Sequence, residues 1–213
     1  LKAKPSNFFL GLQNTMSQDE GAYTGEVSLS MTKNLVRFVI IGHSERRRFF
    51  GETDEMVSQK VKYALDRKVT PILCVGEKER FNLEEYYQYE VKRMKEAGGI
   101  LSQIKAGLKH VKKDQLKEIV IAYEPVWAIG GGNAATGAYA AAICYIIKNY
   151  LEQNFGDLAD EVRILYGGSV STKNVREFMM QPSIHGLLVG GESLKAKEFV
   201  EIVQKSAEVK NGR

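Results

Sequence analysis

An α/β protein with a parallel sheet is what this sequence predicts, on three observations. Short apolar runs alternate with longer amphipathic stretches, as in successive right-handed βαβ units. No linker, low-complexity segment or composition break divides the 213 residues. Glycine-rich signals then follow the last three apolar runs, at Gly130-Gly131-Gly132, Gly167-Gly168-Ser169 and Gly190-Gly191. A barrel places its phosphate site on the loops after its last strands, whereas an open doubly wound sheet more often carries one fingerprint after its first. A barrel is therefore expected, with about six βα units visible where eight would close it.

In chain order, Phe8 to Leu12 is the first strand candidate, followed by a long polar loop from Gln13 to Glu26. Met31 to Leu35 belongs to a short helix, and Phe38 to Ile41 is the second strand. Glu52 to Arg67 reads as a helix: Thr53 can cap it, acids fill its first turn, and Val57, Val61, Ala64 and Leu65 share a face. Pro71 to Val75 is the third strand, with its proline tolerable only at the start. A long charged helical region, Leu83 to Lys117, leads to the fourth strand, Ile119 to Tyr123. Tyr139 to Leu151 is a helix, Arg163 to Tyr166 and Gly186 to Val189 are strands, and Lys195 to Ser206 is a closing helix with Phe199, Ile202 and Val203 inward.

A net charge of +4, spread along the chain, favours small anions weakly and does not suggest a nucleic-acid partner. The densest basic run, Arg46-Arg47-Arg48, sits between Glu45 and Glu52 and is expected to pair locally. Cys74 and Cys144 lie in apolar segments and read as small buried hydrophobes of a reducing compartment. No apolar run reaches membrane-spanning length, so no membrane partner is expected and a cytoplasmic location is the default.

Two groups stand at strand tips. Glu124 follows the fourth strand directly, and Pro125 ends its ladder before Val126 and Trp127 lead into the glycines. It is either the cap of an ordinary βα turn or a catalytic acid. His43 follows Ile41-Gly42, with Ser44 and Glu45 opening a polar turn behind it. Tips of different parallel strands converge on one face, which favours function for both. His110, in a charged stretch, reads as solvated, and His185 can be read either way. No metal-ligand cluster and no nucleotide fingerprint is present, so neither metal nor cofactor is expected. A base, an imidazole and glycine N–H groups suited to a phosphate dianion fit proton abstraction beside a carbonyl on a small phosphorylated substrate.

Four segments carry a specific resemblance: Ile41-Gly-His-Ser-Glu-Arg-Arg-Arg48, Ala122-Tyr-Glu-Pro-Val-Trp-Ala-Ile-Gly130, Tyr166-Gly-Gly-Ser-Val170 and Leu188-Val-Gly-Gly191. Together with Gly21 to Glu26 and Pro71 to Glu77, they resemble the triosephosphate isomerase family from about Phe8 to Val203. The resemblance implies a (β/α)8 TIM barrel, a single domain over 1–213, and interconversion of dihydroxyacetone phosphate and D-glyceraldehyde 3-phosphate through an enediolate. It implies Glu124 as the base and His43 as the neutral imidazole that polarises the carbonyl, this family being the standing example of such a histidine. Ser44 would hold Glu124 in the open state and Glu45 would support the cluster. Gly130, Ser169, Gly190 and Gly191 would bind phosphate. Pro125, Val126 and Trp127 would form the hinge of a lid, with Tyr123 and Glu77 as alternative partners of Trp127. A homodimer through the Gln13 to Glu26 loop follows by the same resemblance.

The chain also departs from the family. Nothing before Phe8 matches the first two βα units, which carry an Asn and a Lys toward the substrate, so the amino-terminal part of the barrel is expected to be missing from this sequence. The alternative is a catalytically silent, phosphate-binding remnant. The lid reads Gly131-Gly132-Asn133-Ala134 where the family usually has Thr-Gly-Lys-Thr, Glu192 replaces a small residue, and His185 replaces an Asp.

Overall fold

The computed structural model describes residues 7–32, 35–83, 87–129 and 134–212. Six parallel strands run in it: β1 (Gly11–Leu12), β2 (Phe38–Ile41), β3 (Thr70–Val75), β4 (Val120–Tyr123), β5 (Arg163–Tyr166) and β6 (Gly186–Leu187). They pair strictly in sequence order. Successive right-handed crossovers that never reverse direction place every helix on the same side of a sheet. The other side can be buried only if the sheet curls on itself, which is the logic of a barrel and not of a doubly wound sheet. Among the described residues, β1 and β6 each have one neighbour.

Register explains the burial. Ile41 pairs with Leu73, Leu73 with Ile121, and Ile121 with Ile164, and all four are at most 1% exposed. The offset row, Ile40, Ile72 and Val120, is only half-buried. These β-branched runs suit strands covered on both faces, and the first row carries the helices.

Seven α-helices lie among the described residues: α1 (Ser44–Phe49), α2 (Asp54–Asp66), α3 (Tyr87–Lys95), α4 (Ile100–Gly107), α5 (Gly137–Phe155), α6 (Val175–Met179) and α7 (Ala196–Lys210). In α2 the Thr53 hydroxyl accepts from Met56 N, and Val57, Val61, Ala64 and Leu65 are buried. Thr136 caps α5 through Tyr139 N, and Gly156, at φ 65°, stops it.

Strands β1 and β6 are shorter than the expected Phe8–Leu12 and Gly186–Val189, and the short helical turn expected at Met31–Leu35 lies at Leu29–Thr32. Three larger expectations also change. The polar turn after His43 is a helix, α1, too short and too charged to show periodicity. The long region from Leu83 to Lys117 is divided: Gly98 adopts φ 81°, and a Cβ on Gly99 would lie 2.4 Å from Arg93 O, so the chain turns there between α3 and α4. In α7 only Ile202 is buried, while Phe199 and Val203 are 39% and 52% exposed. That helix packs on α6 and on the turn at Gly191–Leu194, too narrow a contact to cover a whole apolar face.

Candidate active site

The C-terminal ends of β2, β3 and β4 build the centre of the site. Gly42 turns the chain out of β2 at φ 76°. A Cβ there would lie 3.1 Å from Arg47 Nη2 and from Val57 Cγ2. Both of its backbone groups are held by charged side chains: its N–H donates to Glu52 Oε2 (3.1 Å) and its carbonyl accepts from Arg47 Nε (2.8 Å). Glu52 is buried and pairs with buried Lys60, which also donates to Asn14 Oδ1 at 2.8 Å. The basic run does pair locally, Arg47 with Asp54 and Arg46 with Glu26 and Glu52.

His43 caps α1. Its Nδ1 accepts from Glu45 N (3.3 Å), which leaves the ring proton on Nε2. Nε2 lies 2.8 Å from Glu124 Oε1, a close contact outside the cone of an aligned N–H···O bond, so this buried oxygen keeps no aligned donor among the described residues. Glu124 Oε2 accepts from Ser44 N at 2.9 Å. Thus the Ser44 backbone, not its hydroxyl, holds the carboxylate. The carboxylate raises the His43 pKa above the ordinary imidazole value, against the opposite pull of burial. Glu45 is exposed and its carboxylate stands 3.9 Å from His43 Nδ1, on the far side of the ring from Glu124.

Glu124 is 2% exposed and is fitted between glycines. A Cβ on Gly76 would lie 1.7 Å from Glu124 O, and one on Gly167 would lie 3.1 Å from Glu124 Cγ. Pro125 precedes a short turn, Val126–Ala128, whose Trp127 Nε1 donates to Glu77 Oε1 at 2.6 Å. Tyr123 Oη (2.8 Å) and Tyr139 Oη (3.2 Å) donate to the same oxygen, while Oε2 is buried with no partner among the described residues. Of the two partners expected for Trp127, Glu77 is the one it bonds. Burial pushes the Glu77 carboxyl up to about 7. The Arg80 guanidinium stacks over the rings of Trp127 and Tyr139.

Gly130 and the lid tip lie outside the described residues. Ser169 Oγ donates to Ala128 O (2.8 Å), tying its loop to the hinge. A Cβ on Gly168 would lie 2.2 Å from Tyr166 Oη, whereas Gly190 and Gly191 face open space at the start of the Gly191–Leu194 turn. Glu192 pairs with Lys195 at 2.9 Å. His185 lies at the opposite end of the strands, where its Nδ1 accepts from Ile164 N (3.0 Å) and it lines a surface groove with Tyr145 and Lys148. His185 is therefore a link between β5 and β6. Cys74 and Cys144 are free and buried. Among the described residues no group of three His, Cys, Asp or Glu is arranged for a metal, and no helix is long and apolar enough to cross a membrane.

Sequence reasoning missed Gly42, Gly76, Lys60, Gln103, Arg80 and Tyr139 as supports of the site, and placed Glu52 only as a local partner of the arginines. Their signals are contacts between residues far apart in the chain. Only the two glycines, standing right after strands, carried a local hint.

A singly wound, parallel six-stranded sheet of the α/β-barrel kind, with a carboxylate and an imidazole at the C-terminal ends of its strands and open glycine loops beside them, is the class that this fold and site define. The sequence pattern of the triosephosphate isomerase family matches residues 1–206. The triosephosphate isomerase of Carboxydothermus hydrogenoformans is 47% identical over 203 residues, covering 94% of this chain and 77% of that protein. Those of a Thermoanaerobacter species (47% over 200 residues; 93% and 77% covered) and of Chloroherpeton thalassium (46% over 201 residues; 93% and 76%) are similarly close. The chain belongs to the triosephosphate isomerase family.

Proposed function

We propose that this chain interconverts dihydroxyacetone phosphate and D-glyceraldehyde 3-phosphate, with Glu124 and His43 as its reacting groups. The Glu124 carboxylate takes a proton from the carbon beside the carbonyl while His43 Nε2–H donates to the carbonyl oxygen, giving an enediolate. Glu124 then returns the proton to the neighbouring carbon. The observation that carries this reading is the 2.8 Å contact of His43 Nε2 with a Glu124 oxygen that lacks an aligned donor. A buried carboxylate that, among the described residues, is hydrogen-bonded by Ser44 N on its other oxygen alone is free to exchange one partner for a substrate proton.

Ser169, Gly190 and Gly191, with Gly130 from the lid, take the phosphate, and Pro125, Val126 and Trp127 hinge the lid that excludes water. Glu45 supports the imidazole through its backbone N–H. The Gln13 to Glu26 loop, braced by Asn14 Nδ2 to Glu26 (3.1 Å), offers the surface of a homodimer, beside Met31, Phe49 and Phe50, each more than 60% exposed. A cytoplasmic location suits a soluble sugar-phosphate enzyme.

A coupled isomerase assay on the wild type and on Glu124→Gln tests the assignment. The substitution removes the base and should lower kcat by roughly 100- to 10,000-fold. Undiminished turnover would remove Glu124 from the role, and phosphoglycolate binding by an inactive wild type would assign the chain as a phosphate-binding remnant instead.

A further inference from the structure

The tip of β3 contributes no reacting group, yet everything beside it rests on it. Glu124 N donates to Val75 O at 2.8 Å, and Val126 N donates to Glu77 O at 3.0 Å. Tyr123 and Trp127 both bond the Glu77 side chain. The segment Val75-Gly76-Glu77 therefore holds the residue before Glu124, Glu124 itself, and the first two residues of the hinge turn. Because Gly76 must lack a side chain to let the Glu124 backbone pass, its backbone is soft and needs an outside support.

Gln103 supplies that support. It lies in the first turn of α4 and is 7% exposed. Its Oε1 accepts from Gly76 N (3.0 Å) and its Nε2 donates to Gly76 O (3.0 Å), so one amide grips both sides of one glycine. Nε2 also donates to Gly98 O at 2.8 Å, which anchors the amide to the break between α3 and α4. Each polar atom of the amide is used, and its orientation is set by its partners. A Gln that only filled space beneath the sheet would not need this two-point match to the one residue that Glu124 O overlies.

We propose that Gln103 is a positioning residue for the isomerisation: it fixes Gly76 and, through the neighbouring Val75 and Glu77 backbone, the placement of Glu124 and of the Trp127 hinge. The inference rests on the reading of Glu124 as the base. It assigns Gln103 no contact with substrate.

Gln103→Met keeps the size of the side chain and removes both grips. Displacement of a reacting group by about 1 Å costs roughly a hundredfold in rate, so kcat should fall by about 10- to 100-fold while KM stays within about threefold. Trp127 is the only tryptophan in the chain, so its emission reports the hinge directly. It should shift and become more open to acrylamide quenching in the folded variant. Should Gln103→Met fail to fold, Gln103→Glu keeps an acceptor for Gly76 N but turns a carboxylate toward Gly76 O and Gly98 O, and should show the same two changes. A folded variant of either kind with wild-type kcat and unchanged Trp127 emission overturns the proposal. If the wild type itself does not turn over, the functional reading fails. Trp127 emission then decides the positioning claim alone, a shift supporting it and no shift overturning it.

Discussion

Glu77 should make this protein less stable as the pH rises toward neutrality, and Glu77→Gln should abolish the effect. The carboxyl is 4% exposed, with three donors crowded on one oxygen and, among the described residues, none on the other. Its burial costs the anion more than the three hydrogen bonds return, so its pKa stands at about 7 against 4.5 for a free side chain. Between these two values the folded state holds a proton that the unfolded chain has released. Stability therefore declines as pH rises from about 4.5 through about 7 and levels off above. A difference of about 2.5 pKa units corresponds to roughly 3 kcal/mol. Glutamine offers the same three donors a neutral amide oxygen. Urea unfolding at several values between pH 4.5 and 8 should give the variant a shallower pH dependence, with the gap over wild type growing by up to about 3 kcal/mol. A gap that does not change with pH would refute the reasoning.

Gly76→Ala should place a Cβ 1.7 Å from Glu124 O, forcing that carbonyl away by more than an ångström to reach a tolerable contact; kcat should fall about a hundredfold in the coupled assay. In Glu124→Gln the carboxylate that raises the His43 pKa is gone, so the imidazole should titrate at a lower pH by nitrogen-15 NMR. In the wild type the His43 contribution to stability is complete below about pH 6.5 and is lost as pH rises through its raised value.

Much of the architecture was legible because it is written in local pattern. The apolar runs at Phe38–Ile41 and Arg163–Tyr166 are strands with the expected limits, and Thr53 caps α2 as its residue type suggests. The placement of His43 and Glu124 at converging tips follows from the parallel order alone. Short helices were hidden: α1 and α6 have six and five residues, too few to establish a period. The supports of the site were hidden for another reason. Glu52 looks like one more surface acid until Gly42 N and Lys60 are seen around it, and Gln103 looks like a solvated amide until Gly76 lies against it. Phe199 and Val203 misled because an apolar periodicity announces a face without saying how much of it a neighbour covers.

The strict strand order has a consequence for the reach of the reacting pair. His43 leaves β2 and Glu124 leaves β4, so a whole strand separates them. Two interstrand steps amount to on the order of 10 Å, yet the imidazole and the carboxylate stand 2.8 Å apart. The two side chains must arch over the end of β3 and meet above it. The end of that strand is a pier: Val75 and, just beyond it, Glu77 carry the Glu124 abutment, and Gly76 between them is bare so that the Glu124 backbone can lie against it.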